Sequence, residues 1–214
     1  MSSDARKLTA AVLVAALFWF YLFGPWTQGR PNFWLVMSCA ALVLTTLAWT
    51  FTPDRKTLLR VEKPGVQLAA GLLIAWALWG VFWVGDKLSA LMFDFARPEV
   101  DAVYAMKAGL PPWTIALLLL LLIGPAEELF WRGYVQRTLS RLLPGKRAAD
   151  LAFVFTALVY ALVHIWSFNF MLVMAALVAG VAWGLLYRLC PKALPALVVS
   201  HAVWDALVFV ILPI

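Results

Sequence analysis

Apolar residues gather into seven blocks of similar length, at approximately 8–26, 33–51, 67–85, 113–131, 149–166, 169–188 and 194–213. A helix needs about 20 mostly apolar residues to cross the hydrocarbon core of a bilayer, so each block predicts a transmembrane helix. The fold class is therefore all-α, a polytopic bundle of about seven or eight spans forming a single membrane domain over residues 1–214. The possible eighth lies in the connection 86–112, where Leu88-Ser89-Ala90-Leu91-Met92-Phe93 is apolar but flanked by Asp86, Asp94 and Arg97. That patch is too short to span and predicts an interfacial or re-entrant helix. The first block follows Arg6 and Lys7 as a signal peptide would, yet it ends in Phe23-Gly24-Pro25-Trp26 and not in a small-residue cleavage site. It is read as a retained span.

Composition agrees. The chain is 64% hydrophobic and 13% charged, against about 45–50% and about 25% in soluble domains. Water is not its main solvent. A net charge of +6 would suggest nucleic acid in a soluble protein; here it fits basic loops facing cytoplasm and anionic lipid, with no nucleic-acid partner. With the amino terminus inside, the inner segments hold 13 basic residues: Arg6, Lys7, Arg55, Lys56, Arg60, Lys63, Arg132, Arg137, Arg141, Lys146, Arg147, Arg188 and Lys192. The outer segments hold 4, namely Arg30, Lys87, Arg97 and Lys107. That excess predicts a cytoplasmic amino terminus, and the compact chain suits a bacterial inner membrane. Cys39 and Cys190 form no metal or disulfide pattern and are read as packing residues. Small residues at Ala176, Gly180 and Gly184 predict a close helix approach on the sixth span. Nothing in the pattern indicates an oligomeric state.

Ionisable groups are expensive in hydrocarbon, about 2.5–3.5 kcal/mol each at mid-membrane, and they mark function by default. Here they are concentrated. The interiors of spans one, two, three and six have none, whereas the fourth carries Glu127 and Glu128 with Arg132 beyond, the fifth His164, and the seventh His201 and Asp205. Both histidines of the chain are in this set. Glu128 and Arg132 are four apart and share a helix face, which predicts a structural ion pair. Glu127 is turned about 100° away, toward the bundle. His201 and Asp205 also share a face, so the carboxylate is placed to orient the imidazole.

Gly124-Pro125 interrupts the fourth helix. If the helix restarts at Pro125, the carboxylates fall in its first turn, where the dipole favours anions. Glu127 is 18 residues before Gly145 and His164 is 19 after it, so an antiparallel hairpin turning at Pro144-Gly145 puts the two at matching depth. The turn soon after His164 pulls that residue toward the opposite face.

Three motifs emerge in order: Glu127-Glu128-Leu129-Phe130-Trp131-Arg132, Tyr160-Ala161-Leu162-Val163-His164, and His201-Ala202-Val203-Trp204-Asp205. They resemble the EExxxR, FxxxH and HxxxN/D pattern of the CAAX-protease and bacteriocin-processing (CPBP, or Abi) family of intramembrane endopeptidases. The resemblance covers roughly 113–213 as the catalytic core. It implies a protein or peptide substrate at the lipid bilayer, a water activated by Glu127 and His164, and an oxyanion stabilised by His201 and the residue at Asp205. A carboxylate desolvated in a bundle makes an effective general base, and imidazole N–H groups suit a developing oxyanion. Two positions depart from the pattern: Tyr160 stands where the family often has Phe, and Asp205 where its prenyl-protein enzymes have Asn. An ionised Asp cannot donate to an oxyanion, so Asp205 either carries its own proton or serves only to position His201.

Other readings stay open. In a zinc version of the same protease, Glu127, His164 and His201 would hold the metal and leave a position for water; the paired-histidine helix motif of soluble metalloproteases is absent, and the reading requiring no cofactor is preferred. A proton-coupled transporter also uses buried Glu, His and Asp, but no internal repeat is seen. A non-catalytic immunity or scaffold protein would retain the motifs for structure. Trp26, Trp34 and Trp113 fall near span ends and are read as an interfacial belt, while Trp131 and Trp204 suit either a substrate groove or helix packing.

Overall fold

In the computed structural model, which describes residues 2–27, 32–58 and 60–214, every regular element is helical. The helices are α1 Ser3–Phe23, α2 Phe33–Phe51, α3 Pro64–Met92, a short α4 Ala96–Ala105, α5 Pro112–Leu142, α6 Ala148–Ser167, α7 Phe170–Leu189 and α8 Pro191–Ile211. All but α4 are long and apolar enough to cross a membrane, seven in number among the described residues. The protein is a multi-pass membrane bundle. Its outward faces are apolar: Leu17, Leu73 and Leu121 are each about two-thirds exposed or more (66%, 70% and 74%), as lipid contact demands.

Local sequence sets the helix ends. Ser2 and Asn32 accept hydrogen bonds from the first turns of α1 and α2, and Asn169 does so for α7, each satisfying a backbone donor that the helix leaves free. Pro64, Pro112 and Pro191 begin α3, α5 and α8, where proline's missing N–H costs nothing. Gly145, at φ +85°, makes the turn between α5 and α6.

Several expectations are corrected. The apolar patch 88–93 is no separate interfacial helix. Through Met92 it continues α3, because Asp86 is buried and neutralised by Lys87 at 3.1 Å and by Arg97 at 3.0 Å, the latter returned by α4. Pro125 does not restart a helix either. The proline is absorbed by wide π-helical turns on both sides, Leu119–Ile123 and Leu129–Gln136, so that α5 runs on to Leu142. Such turns rearrange the hydrogen-bond ladder within an unbroken helix. Arg132 is consequently not a loop charge but lies inside α5, 1% exposed. Cys39 and Cys190 are exposed and not packed. Trp34 is buried, donating its indole N–H to the Met106 carbonyl at 3.1 Å, while Trp26 and Trp113 are exposed. Arg30 lies outside the described residues.

Small residues bring three pairs of helices into contact. A Cβ on Gly124 would stand 2.6 Å from the Ala202 Cα, one on Gly71 2.7 Å from the Ala196 carbonyl oxygen, and one on Gly180 3.0 Å from the Tyr160 ring. These contacts hold α8 against α5 and α3, and α7 against α6.

At the end of the bundle that includes Ser3, Asp54 clips the α2–α3 connection to α5. It accepts hydrogen bonds from Arg137 and, at 3.0 Å, from Arg141. The Arg141 hydrogen bond, with the charges of Arg137 and Arg141, holds the Asp54 carboxyl below its ordinary range despite some burial. A carboxyl with a depressed folded value stabilises the protein above its unfolded pKa, about 3.9, and loses that contribution as pH falls through the folded value. Asp54→Asn should lower the melting temperature in detergent at pH 7 by a small amount, the clip being half-exposed and its pairs worth at most about 1 kcal/mol each. Melts of both proteins repeated toward pH 3 should converge.

Candidate active site

The buried polar groups converge from α5, α6 and α8. The long π-turned α5 presents Glu127 and Glu128, buried at 7% and 0% exposure. Glu128 is a three-way junction. Its Oε1 accepts from Arg132, one helical turn on, at 2.7 Å and from His201 Nδ1 across the α5–α8 contact at 2.8 Å. The Gly124–Ala202 approach makes the second bond possible, since it sets the residue beside Ala202 against the turn after Gly124. Arg132 reaches further, giving its other amino group to the Gly180 carbonyl at 3.2 Å. One turn along, Gln136 does the same to the Gly184 carbonyl at 2.9 Å. The small-residue stripe of α7 thus exposes backbone acceptors as well as allowing close packing.

His201 is therefore oriented chiefly by Glu128. Asp205 stands 3.6 Å from its Nε2, beyond hydrogen-bond length. The imidazole lies flat on Trp183, with ring centroids 3.9 Å apart and planes 18° from parallel. Trp183 is in turn fixed by donating to Ser200 at 3.0 Å. Nδ1 is committed to Glu128, and Nε2 is the edge turned toward Asp205.

Glu127 is differently placed. Turned away from Arg132, it accepts from the Tyr160 hydroxyl at 2.9 Å. The same Tyr160, through its backbone carbonyl, accepts from His164 Nδ1 at 2.8 Å. His164 sits in the 3₁₀ turn Val163–Ser167 that ends α6. Its Nε2 receives the indole N–H of Trp19, from α1, at 2.9 Å. Because a carbonyl only accepts and an indole only donates, His164 is the neutral tautomer with its hydrogen on Nδ1. Glu127 and His164 thus meet through Tyr160 and not directly.

Five of these groups, Glu127, Tyr160, His164, His201 and Asp205, border one cavity of about 470 Å³, together with a largely apolar wall that includes Phe23, Phe82, Met171 and Trp204. Its lining comes from the far end of α1, the near end of α2, the last turns of α3 and the first half of α5. The cavity consequently occupies the half of the bundle away from Ser3, and the depth of His164 follows from that. Trp204 lines it against Phe82, with ring centroids 4.6 Å apart, whereas Trp131 is wholly buried in the packing.

The set Glu127, His164 and His201 does not fit a metal as arranged. Among the described residues no three His, Cys, Asp or Glu side chains stand close enough to share one ion, and both nitrogens of His164 are already engaged.

The family model described as type II CAAX prenyl endopeptidase Rce1-like matches residues 109–207. Over these residues, just under half of its length, the chain is similar to the CAAX-protease family. Comparisons with curated proteins and with solved structures returned no match. The CAAX-protease segment covers α5 to most of α8, the helices that carry every ionisable member of the site. It is that of an intramembrane peptide hydrolase, acting on a protein or peptide.

Sequence reasoning missed two members. The Tyr160 hydroxyl had a signal, namely a tyrosine where the motif often has phenylalanine. Trp19 had only a weak one, an indole set inside a span and not in the interfacial belt. It lies outside the matched residues, and the CAAX-protease motifs do not point to it.

Breaking the Glu128 junction should be costly. Arg132→Leu leaves a buried carboxylate with histidine alone and should reduce stability by about 3–5 kcal/mol, read as a lowered melting temperature in detergent. The double variant Glu128→Gln, Arg132→Leu, which removes both charges, should recover a large part of that loss.

Proposed function

We propose that this CAAX-type endopeptidase cleaves its substrate with a water activated by Glu127 and His164, without a metal. The observation that supports this is the contrast between neighbours. Glu128 is paired through Oε1 with a guanidinium and an imidazole and lies behind the cavity wall, while Glu127 lines the cavity, and its side chain accepts from Tyr160. A carboxylate held in an apolar pocket with a free oxygen is suited to take a proton.

Water bound at Glu127 loses a proton to that carboxylate as its oxygen attacks the scissile carbonyl carbon. The resulting oxyanion accepts an N–H from His201 Nε2, a geometry favoured by carboxylates beside both of that ring's nitrogens. The proton on Glu127 then passes to the departing amine as the C–N bond breaks. His164 shares the attacking water through Nε2, and Asp205 steadies His201 from the cavity side. Tyr160 fixes one oxygen of Glu127 so that the other faces the water. The apolar wall suits a substrate carrying a greasy side chain or lipid group. The 13-to-4 charge excess, although Arg132 must be taken from the larger side, favours a cytoplasmic amino terminus, and the compact chain suits a bacterial inner membrane.

Purified protein in liposomes, given lipidated and unlipidated peptides, tests this. Glu127→Gln should lower kcat by about 10²–10⁴, and His164→Ala should lower it comparably, both variants remaining folded by their melts in detergent. Cleavage by wild type should persist in chelator. Loss on chelation with recovery on adding zinc would favour the metal reading.

Tyr160→Phe, which deletes only the hydroxyl, should reduce kcat about tenfold with KM little changed, the scale of one hydrogen bond to a charged group. Unaltered kcat would show that Glu127 needs no such support.

A further inference from the structure

We infer that Trp19 is a latch on the active site, a positioning residue that acts through His164 and is supplied by a helix outside the CAAX-protease segment. The inference rests on the proposed role of His164. In this structure His164 has no nitrogen to offer: Nδ1 donates to the Tyr160 carbonyl at 2.8 Å and Nε2 accepts from Trp19 at 2.9 Å. An indole N–H has no lone pair, so while it points at Nε2 that atom can neither hold a water nor take up a proton. For His164 to share the attacking water, the Trp19 bond must be exchanged for one to water.

The surroundings explain how the latch is held. Trp19 is 1% exposed and packs edge-on against both His164 and Trp131, with centroid distances of 5.8 and 6.4 Å. Phe23, one turn further along α1, lies 5.4 Å from the His164 ring and also lines the cavity. A substrate filling the cavity therefore presses on Phe23, and through the same helix on Trp19. Helix α1 thus couples occupancy of the cavity to release of Nε2. The two bonds in competition, indole to imidazole and water to imidazole, are both neutral and similar in strength. The latch is weak enough to be opened by binding.

Two variants test it. Trp19→Phe removes the N–H and part of the ring; β-(3-benzothienyl)alanine at position 19 keeps the ring's shape and removes only the N–H, so it serves if the first variant packs poorly. The reagent is diethyl pyrocarbonate, which acylates an imidazole nitrogen that has a free lone pair, with the adduct on His164 quantified by peptide mass spectrometry. Both variants should form the His164 adduct severalfold faster than wild type. Both should also show kcat raised by about two- to tenfold, the equilibrium weight of one neutral hydrogen bond. An adduct rate equal to wild type in both variants overturns the latch, and so does a fall in kcat. Failure of the underlying mechanism reads differently: His164→Ala cleaving normally removes His164 from the reaction, whatever the Trp19 variants do.

Discussion

The arrangement hangs on a single oxygen, Oε1 of Glu128. In a bundle with 64% hydrophobic residues, a buried guanidinium, carboxylate and imidazole must satisfy one another, because no water is at hand to do so. Oε1 takes Arg132 from its own helix and His201 from α8. Arg132 then carries the junction on to the α7 backbone at Gly180. Three helices are thereby fixed in rotation as well as in distance. Remove the carboxylate and His201 loses its orientation, Arg132 its counter-charge, and α5 its register against α8.

That junction also frees Glu127 for other work. Two adjacent carboxylates on an α-helix face different ways, and only one of them can reach Arg132. The other is left facing an apolar cavity with a phenol as its partner. The division of labour between a charge-paired acid and a cavity-facing one thus comes from helix geometry together with one ion pair. The π-helical turns around Gly124–Glu128 belong to the same economy. They absorb the proline without ending the helix, and so keep the two glutamates and Arg132 on one continuous scaffold.

The amino-terminal helices are more than membrane anchors. α1 delivers Trp19 to His164, α2 supplies Trp34 to the cavity wall, and α3 with α4 closes its rim through Asp86 and Arg97. A catalytic segment confined to α5–α8 would leave His164 open on one side. The family resemblance and the cavity therefore have different extents, the first ending where the second still needs neighbours.

Much of this was present in the chain as written. Seven apolar blocks foretold seven helices, because hydrocarbon permits few other ways of satisfying a backbone. The clustering of Glu127, Glu128, His164, His201 and Asp205 in otherwise apolar spans foretold one polar site, since charges do not scatter in lipid without cause. The pairing of Glu128 with Arg132 followed from a spacing of four. Contacts between helices were another matter. That His201 turns to Glu128 more than to Asp205, that Tyr160 stands between Glu127 and His164, and that Trp19 reaches His164 across 145 residues of sequence depend on how the helices are rotated against one another. Periodicity within one helix carries no record of that rotation; it is settled by close approaches such as Gly124 on Ala202, and only the packed bundle contains them.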